Sequence, residues 1–82
     1  MLSNAEIRTT VEQAFRPLRC VAEIWDYDQK LRFKVFDDDR AVIEVPRLVL
    51  RDLRETDNLT SVLVQARSEV EDKGFDLERL AL

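Results

Sequence analysis

Cys20 is the candidate nucleophile in this sequence. A catalytic thiol needs a nearby base or a strongly cationic site that holds it as the thiolate. The chain contains no histidine, so that help would have to come from Arg16 or Arg19. Free cysteine is among the most buried residue types, and the alternating pattern places Cys20 on the same side as Ala22. We therefore expect a core cysteine and a protein that is not an enzyme.

Three consecutive aspartates, Asp37–Asp39, are the candidate metal ligands. Sites for Ca²⁺ or Mg²⁺ need several oxygen ligands that converge from different backbone directions. Neighbouring aspartates at the tip of a hairpin diverge, and a turn containing Asp26 and Asp28 lies at the opposite end of a three-stranded meander. The pattern predicts a solvated turn, with no metal and no cofactor.

A set of arginines is the candidate anion site. Its members are Arg16, Arg19, Arg47, Arg51 and Arg54. Arg47 and Arg51 share a face whether their segment is strand or helix, whereas Arg54 joins them only in a helix. Exposed arginines more often pair with local carboxylates such as Asp52. We expect such pairing here, and no small-molecule substrate is evident from the sequence.

Composition limits the classes of function. The chain has 82 residues, enough for one domain, with 17 acidic against 13 basic residues and a net charge of −4. This charge opposes binding to phosphate backbones, so nucleic acid is an unfavourable partner.

A single cysteine predicts no internal disulfide and a reducing compartment. There is no signal-peptide pattern and no apolar run of the roughly 20 residues that span a bilayer, so we expect a cytoplasmic protein without membrane contact.

The first element is predicted to be a helix over residues 4–15. Ser3 and Glu6 have the spacing of a capping box, in which each side chain bonds the other residue's backbone N–H. Apolar residues then recur at helical spacing. Pro17 ends the helix, because the residue before a proline is pushed out of the α region.

The second helix is predicted to begin near Thr56 or Asp57, either of which suits an N-cap. It ends near Gly74, the only glycine, where the helix C-terminus needs a left-handed residue. Before this helix, residues 46–55 fit either a strand or a helical turn, and a short fourth strand near Leu48–Leu50 is one alternative.

Between the helices the apolar residues alternate with a period of two, which predicts strands. A loop centred on Asp28 and Gln29 gives the register of the first hairpin. It pairs Ala22 with Val35, Glu23 with Lys34, Ile24 with Phe33, and Trp25 with Arg32. In the second hairpin a three-residue loop, Asp38–Arg40, keeps Glu44 out of the core. It pairs Phe33 with Val45, Lys34 with Glu44, and Val35 with Ile43.

These elements predict an α+β fold, a two-layer sandwich of order α-β-β-β-α around a three-stranded antiparallel meander. The single domain covers residues 1–82. It divides into an α-β-β-β-α core over residues 1–74 and a short amphipathic tail over residues 75–82.

The side of the sheet away from the helices is predicted to be unusually apolar. In this register Val21, Phe36 and Val42 form a cross-strand row, with Trp25 further along. Apolar surface on this scale rarely stays bare. The tail, a second copy or another protein would cover it. We expect a non-catalytic domain for protein interaction or self-association as a homodimer, with a predicted surface of Val21, Trp25, Phe36, Val42 and Phe75.

Single-stranded nucleic-acid binding through the same face is the alternative function. Bases would stack on aromatic rings while basic side chains contact phosphates. The predicted contacts are Trp25, Tyr27, Arg32, Lys34 and Phe36. The element order is also that of double-stranded-RNA-binding domains, but the start of the second helix, Thr56–Ser61, has no basic residue.

The stretch Phe15–Cys20 resembles the F-x-P-x-R-C opening of a small family of pseudomonad-type proteins of unknown function. Leu31–Asp37 and Val45–Val70 are similar as well, so that the resemblance covers most of residues 2–70. The loop Asp37–Arg40 departs from the longer, glycine-containing turn of that family. The resemblance implies a bacterial, cytosolic domain and no assigned activity.

Overall fold

A computed structural model describes residues 2–80. Its elements are α1 (Asn4–Gln13), β1 (Arg19–Trp25), β2 (Lys30–Asp37), β3 (Arg40–Val49), α2 (Leu50–Leu53) and α3 (Thr56–Asp72). The strands form one antiparallel sheet of order β1-β2-β3, and the helices lie against one side of it. The predicted α+β meander is therefore confirmed. The last two residues of the predicted 75–82 tail lie outside the described residues. Over the described range, no helix has the length and apolarity needed to cross a membrane.

Helix α1 begins as predicted. The Ser3 hydroxyl accepts from the Glu6 N–H, and the Glu6 carboxylate accepts from the Ser3 N–H, both at 3.1 Å. The helix ends at Gln13, two residues earlier than predicted. There the Ala14 N–H donates to the Val11 carbonyl at 3.2 Å, a bond to the third residue back that is typical of a tighter turn. The helix therefore ends before the chain reaches Pro17.

Helix α3 also follows its predicted limits. It begins at Thr56, but its N-cap is Glu55, whose side chain makes no capping bond, so the proposed capping role of Thr56 or Asp57 is wrong. At the other end Gly74 has a φ of +97° and donates its N–H to the Glu71 carbonyl at 2.9 Å. This left-handed ending is the role predicted for the only glycine.

Strand β3 resolves the ambiguous segment. Leu48 and Val49 continue β3, and the chain then enters the helical turn α2, so the alternative of a fourth strand near Leu48–Leu50 is wrong. An irregularity in β3 lies between the partners of Leu31 and Phe33, at the level of Pro46. Proline lacks the N–H of a regular ladder, and a bulge accommodates it while the strand continues.

The first hairpin has a register that differs by two residues from the predicted one. Ala22 pairs with Phe33 and Ile24 with Leu31, because the turn Asp26–Gln29 is centred on Tyr27 and Asp28, one residue earlier than predicted. Three of its residues have left-handed φ values, 58° at Asp26, 53° at Tyr27 and 63° at Asp28. An even shift changes every cross-strand partner but leaves each side chain on its predicted face.

The second hairpin has the predicted register, but a two-residue turn and a bulge produce it instead of a three-residue loop. Val35 pairs with Ile43 and Lys34 with Glu44. The turn itself holds only Asp38 and Asp39, and the extra residue, Val42, forms a bulge in β3. Keeping Glu44 out of the core therefore depends on the bulge and not on a three-residue loop.

The core lies between the sheet and the helices. Phe15, at the end of α1, packs on Phe33 of β2 with 5.5 Å between ring centroids. The buried residues are Ile7, Val11, Ala14, Phe15, Cys20, Ala22, Leu31, Phe33, Val35, Ile43, Leu50, Leu53, Leu59, Leu63, Ala66 and Val70. Every one of them is apolar, so the helix layer and the inner side of the sheet form one continuous hydrophobic cluster.

Candidate interaction site

The candidate site is the side of the sheet that faces away from the helices, which we call the outer face. It includes Arg19, Val21, Glu23, Trp25, Lys30, Arg32, Lys34, Phe36 and Glu44. Most of these side chains are exposed, whereas their neighbours along each strand are buried in the core. A shallow depression of about 440 Å³ lies over the middle of this face.

The apolar part of the outer face is smaller than predicted. Val21 is 45% exposed but lies opposite Lys34, and Phe36 lies opposite Arg19. Val42 occupies the bulge of β3 and packs against the core. The predicted row of Val21, Phe36 and Val42 is therefore not formed, because the first register is shifted and a bulge turns Val42 away.

Arginine side chains cover both aromatic rings of the outer face. The guanidinium carbon of Arg19 lies 4.6 Å from the centroid of Phe36, and that of Arg32 lies 5.8 Å from Trp25. The predicted contact between Trp25 and Arg32 thus exists, although Lys30 is the direct partner of Trp25. These contacts leave both rings half-buried and reduce the area on which a base could stack.

Opposite charges on the outer face are paired within the molecule. Arg32 donates to one oxygen of Glu23 through Nη2 at 2.9 Å and through Nε at 3.2 Å. Lys34 Nζ lies 3.8 Å from a Glu44 oxygen. The predicted ladder of Glu23, Lys34 and Glu44 is corrected to two separate pairs. Such exposed pairs contribute about 0–1 kcal/mol each, so they determine the charge pattern more than the stability.

The edges of the sheet are not free to add a strand. At β1, the Ala22 N–H donates to Glu12 Oε2 of α1 at 3.1 Å. At β3, the bulges at Val42 and near Pro46 break the regular row of backbone groups. Proteins use such features to prevent edge-to-edge pairing. The outer face is therefore a better docking surface than either edge.

The described part of the tail lies on the helix side of the sheet. Phe75, Leu77 and Leu80 are half-buried against the core. The Glu78 N–H donates to the Arg16 carbonyl at 2.8 Å, and its carbonyl accepts from Arg67 Nη2 at 2.6 Å. As far as Leu80, the tail does not cover the outer face. The structure therefore separates Phe75 from the other predicted surface residues.

Tyr27 is the most exposed large hydrophobic side chain of the described residues, at 95%. It lies at the tip of the first turn between Asp26 and Asp28 and does not belong to the outer face. Of the predicted nucleic-acid contacts, the outer face brings together Trp25, Arg32, Lys34 and Phe36. The acidic neighbours of Tyr27 would repel a phosphate backbone.

Cys20 lies in the core, as predicted. It is 8% exposed, and burial together with the nearby Glu12 carboxylate raises the pKa of its thiol to about 12. The thiol therefore stays protonated at neutral pH, and it packs as a small apolar side chain.

The three aspartates of the second turn lie at the surface. Asp37, Asp38 and Asp39 line an open surface depression with Arg40. Over residues 2–80, no group of three or more His, Cys, Asp or Glu side chains is placed to hold a metal ion.

The predicted arginine set is divided between the two ends of the sheet. Arg19 lies beside Phe36, near the second turn, whereas Arg51 and Arg54 line a depression at the first turn together with Lys30. Sequence reasoning missed Lys30, since its place at the last row of the sheet depends on the true register of the first hairpin.

No protein-family model, curated protein or solved structure matches the chain. The resemblance of Phe15–Cys20 to an F-x-P-x-R-C family therefore stays a prediction. In the structure this stretch connects α1 to β1, with Phe15 and Cys20 buried in the core. These positions have a clear role in packing.

Proposed function

We propose that this protein is a non-catalytic interaction domain that associates with a second copy of itself through the outer face of its sheet. One observation carries the proposal. The helices and the described tail all lie on the other side, and both sheet edges are obstructed, so the outer face is the large sheet surface left available.

The apolar side chains of the outer face favour association. Val21 is 45% exposed, and Phe36 and Trp25 are half-buried beneath arginines. Fully burying a valine or phenylalanine side chain is worth about 1.5–3 kcal/mol relative to leaving it exposed. Because each of these residues is already partly covered, only a fraction of that free energy is gained on association.

The charges of the outer face favour a second copy as the occupant. The face carries cations at Arg19, Lys30, Arg32 and Lys34 and anions at Glu23 and Glu44. A two-fold axis brings the same patch of two copies together, so a patch with both signs can place the cation of one copy against the anion of the other. The patch is small compared with the roughly 20–30 residues a side of a standard interface, and we expect a weak, concentration-dependent dimer.

Two exposed valines on opposite sides of the molecule provide the test. Val21→Glu places a charge on the outer face, and Val64→Glu makes the same change on α3, where Val64 is 53% exposed. Size exclusion with light scattering across micromolar concentrations measures the mass of each protein. We expect a mass that rises with concentration for the wild type and for Val64→Glu, and a monomer for Val21→Glu.

Circular dichroism of both variants establishes that they remain folded. A strictly monomeric wild type, or a Val21→Glu protein that still dimerises, would overturn the proposal. Quenching of Trp25 fluorescence by a single-stranded oligonucleotide, weakening steeply with salt, would favour the nucleic-acid alternative instead.

A further inference from the structure

A second candidate site lies at the end of the sheet beside the first turn. The last row of the sheet places Trp25, Lys30 and Val49 side by side on the three strands. The chain then enters α2 directly, and the Leu50 N–H donates to the Gln29 carbonyl at 2.9 Å. This bond connects α2 to the first turn and positions a depression of about 470 Å³ between them.

The depression is cationic although the chain as a whole is acidic. Its lining residues are Asp28, Gln29, Lys30, Val49, Arg51 and Arg54. Three cations thus face one carboxylate in a chain whose net charge is −4. Among the described residues, none of the three cations forms an ion pair with a carboxylate. An anion from outside the molecule would balance this charge.

The cations are partly held in place before any ligand binds. Arg54 is half-buried and donates Nη1 to the Leu2 carbonyl at 3.2 Å and Nη2 to the Asn4 side-chain oxygen at 2.7 Å. A guanidinium has five N–H donors, so further donors remain for another acceptor. Lys30 is also half-buried, and Arg51 is exposed at the rim. Fixing Arg54 in advance lowers the entropy lost when a ligand is bound.

We propose that this depression binds the phosphoryl group of a small phosphorylated molecule. Two guanidinium groups and an ammonium suit a dianion with several acceptor oxygens better than a single carboxylate. Asp28 lines the depression, and Asp26 precedes it on the same turn, so this acidic turn would repel the extended charge of a nucleic acid.

Calorimetric titration with inorganic phosphate and with pyrophosphate tests the proposal. Trp25 is the only tryptophan and lies next to Lys30 in the last row of the sheet. Its fluorescence emission therefore gives a second measurement of anion binding. We expect wild-type protein to bind pyrophosphate at millimolar concentration or below, and Arg51→Gln to weaken this binding about tenfold or more, as expected for the loss of a charge-assisted hydrogen bond. Lys30→Gln should weaken it as well.

Arg47→Gln is the matched control. Arg47 is exposed on β3 and does not line the depression, so this variant removes the same charge from a neighbouring place and should bind like the wild type. Absence of pyrophosphate binding in the wild type, or equal weakening by Arg47→Gln and Arg51→Gln, would overturn the proposal. Tighter binding of a single-stranded oligonucleotide than of pyrophosphate, lost in Arg51→Gln, would overturn it in favour of a nucleic-acid backbone. Val21→Glu should keep its anion binding, which separates this site from the proposed dimer face.

Discussion

The two sides of the sheet differ in what holds their side chains. On the inner side, Phe33 and Val35 are fully buried in the hydrophobic core between the sheet and the helices. On the outer side, Phe36 and Trp25 are half-buried, and an arginine lies over each ring. The inner side thus depends on close packing, and the outer side on a few pairwise contacts that water can replace.

Because of this difference, one side of the sheet can stabilise the fold while the other side is able to exchange its contacts for those of another molecule. A face held by exposed ion pairs and cation–π contacts can exchange those partners for the equivalent groups of another molecule at small cost. A close-packed face cannot, since any rearrangement opens a cavity. The same sheet can therefore maintain the fold with one side and offer the other for binding.

The largest expected effect is the loss of a core ring. Phe33→Ala removes a fully buried side chain that packs on Phe15, and we expect it to lower the free energy of unfolding by about 3–5 kcal/mol. Phe36→Ala removes a half-buried ring from the outer face and should cost about 1 kcal/mol. Urea unfolding at low protein concentration measures both.

A small domain has a free energy of unfolding of only a few kcal/mol, which the loss in Phe33→Ala could exceed. A less destabilising variant at the same position is therefore measured as well. Phe33→Leu keeps most of the volume and should cost about 1.5 kcal/mol or less while remaining folded. If Phe36→Ala destabilised the protein as much as Phe33→Ala, the outer face would be part of the packed core and the comparison would be wrong.

The pH dependence of the free energy of unfolding tests whether Cys20 is buried on the inner side of the sheet. The thiol is an acid whose pKa is raised from an ordinary 9.0 to about 12 in the folded protein, first by burial and then by Glu12. The unfolded chain therefore loses this proton first as the pH rises. The stabilisation is complete below pH 9 and is lost progressively as the pH approaches 12.

Cys20→Ala removes this dependence and leaves the other titrating groups in place. Between about pH 8 and pH 10 we expect the unfolding free energy of the wild type to fall by about 1.4 kcal/mol more than that of Cys20→Ala. Chemical denaturation at each pH gives both curves. Parallel curves for the two proteins would mean that Cys20 is accessible to solvent and that this part of the inner side is open.

Features that depend on neighbouring residues could be predicted from the sequence. The capping box of Ser3 and Glu6 acts over three residues, and Gly74, the only glycine, suits a left-handed position at a helix end. The two faces of each strand were also predictable, since an even error in register leaves a side chain on its own side. The fold class follows from these local signals and the order of the elements.

The partners on the outer face could not be predicted in the same way. They depend on the position of the first turn, where three residues other than glycine adopt left-handed φ values that are unfavourable by themselves. The pairing of Ala22 with Phe33 in the core overrides that local preference. The contact from Glu12 to the β1 edge and the position of Lys30 beside Arg51 arise only when separate elements pack together.

The smallest expected effect concerns the ion pairs of the outer face. A double-mutant cycle of Glu23→Gln and Arg32→Gln should give a coupling of about 0.2–1 kcal/mol, since both side chains are at least half exposed to solvent. The same cycle at Lys34 and Glu44, whose closest atoms are 3.8 Å apart, should give a smaller value. Both couplings should decrease as salt is added, because exposed charges are screened. Couplings well above about 1 kcal/mol, insensitive to salt, would show that the outer face is as firmly fixed as the inner one and poorly suited to exchanging partners.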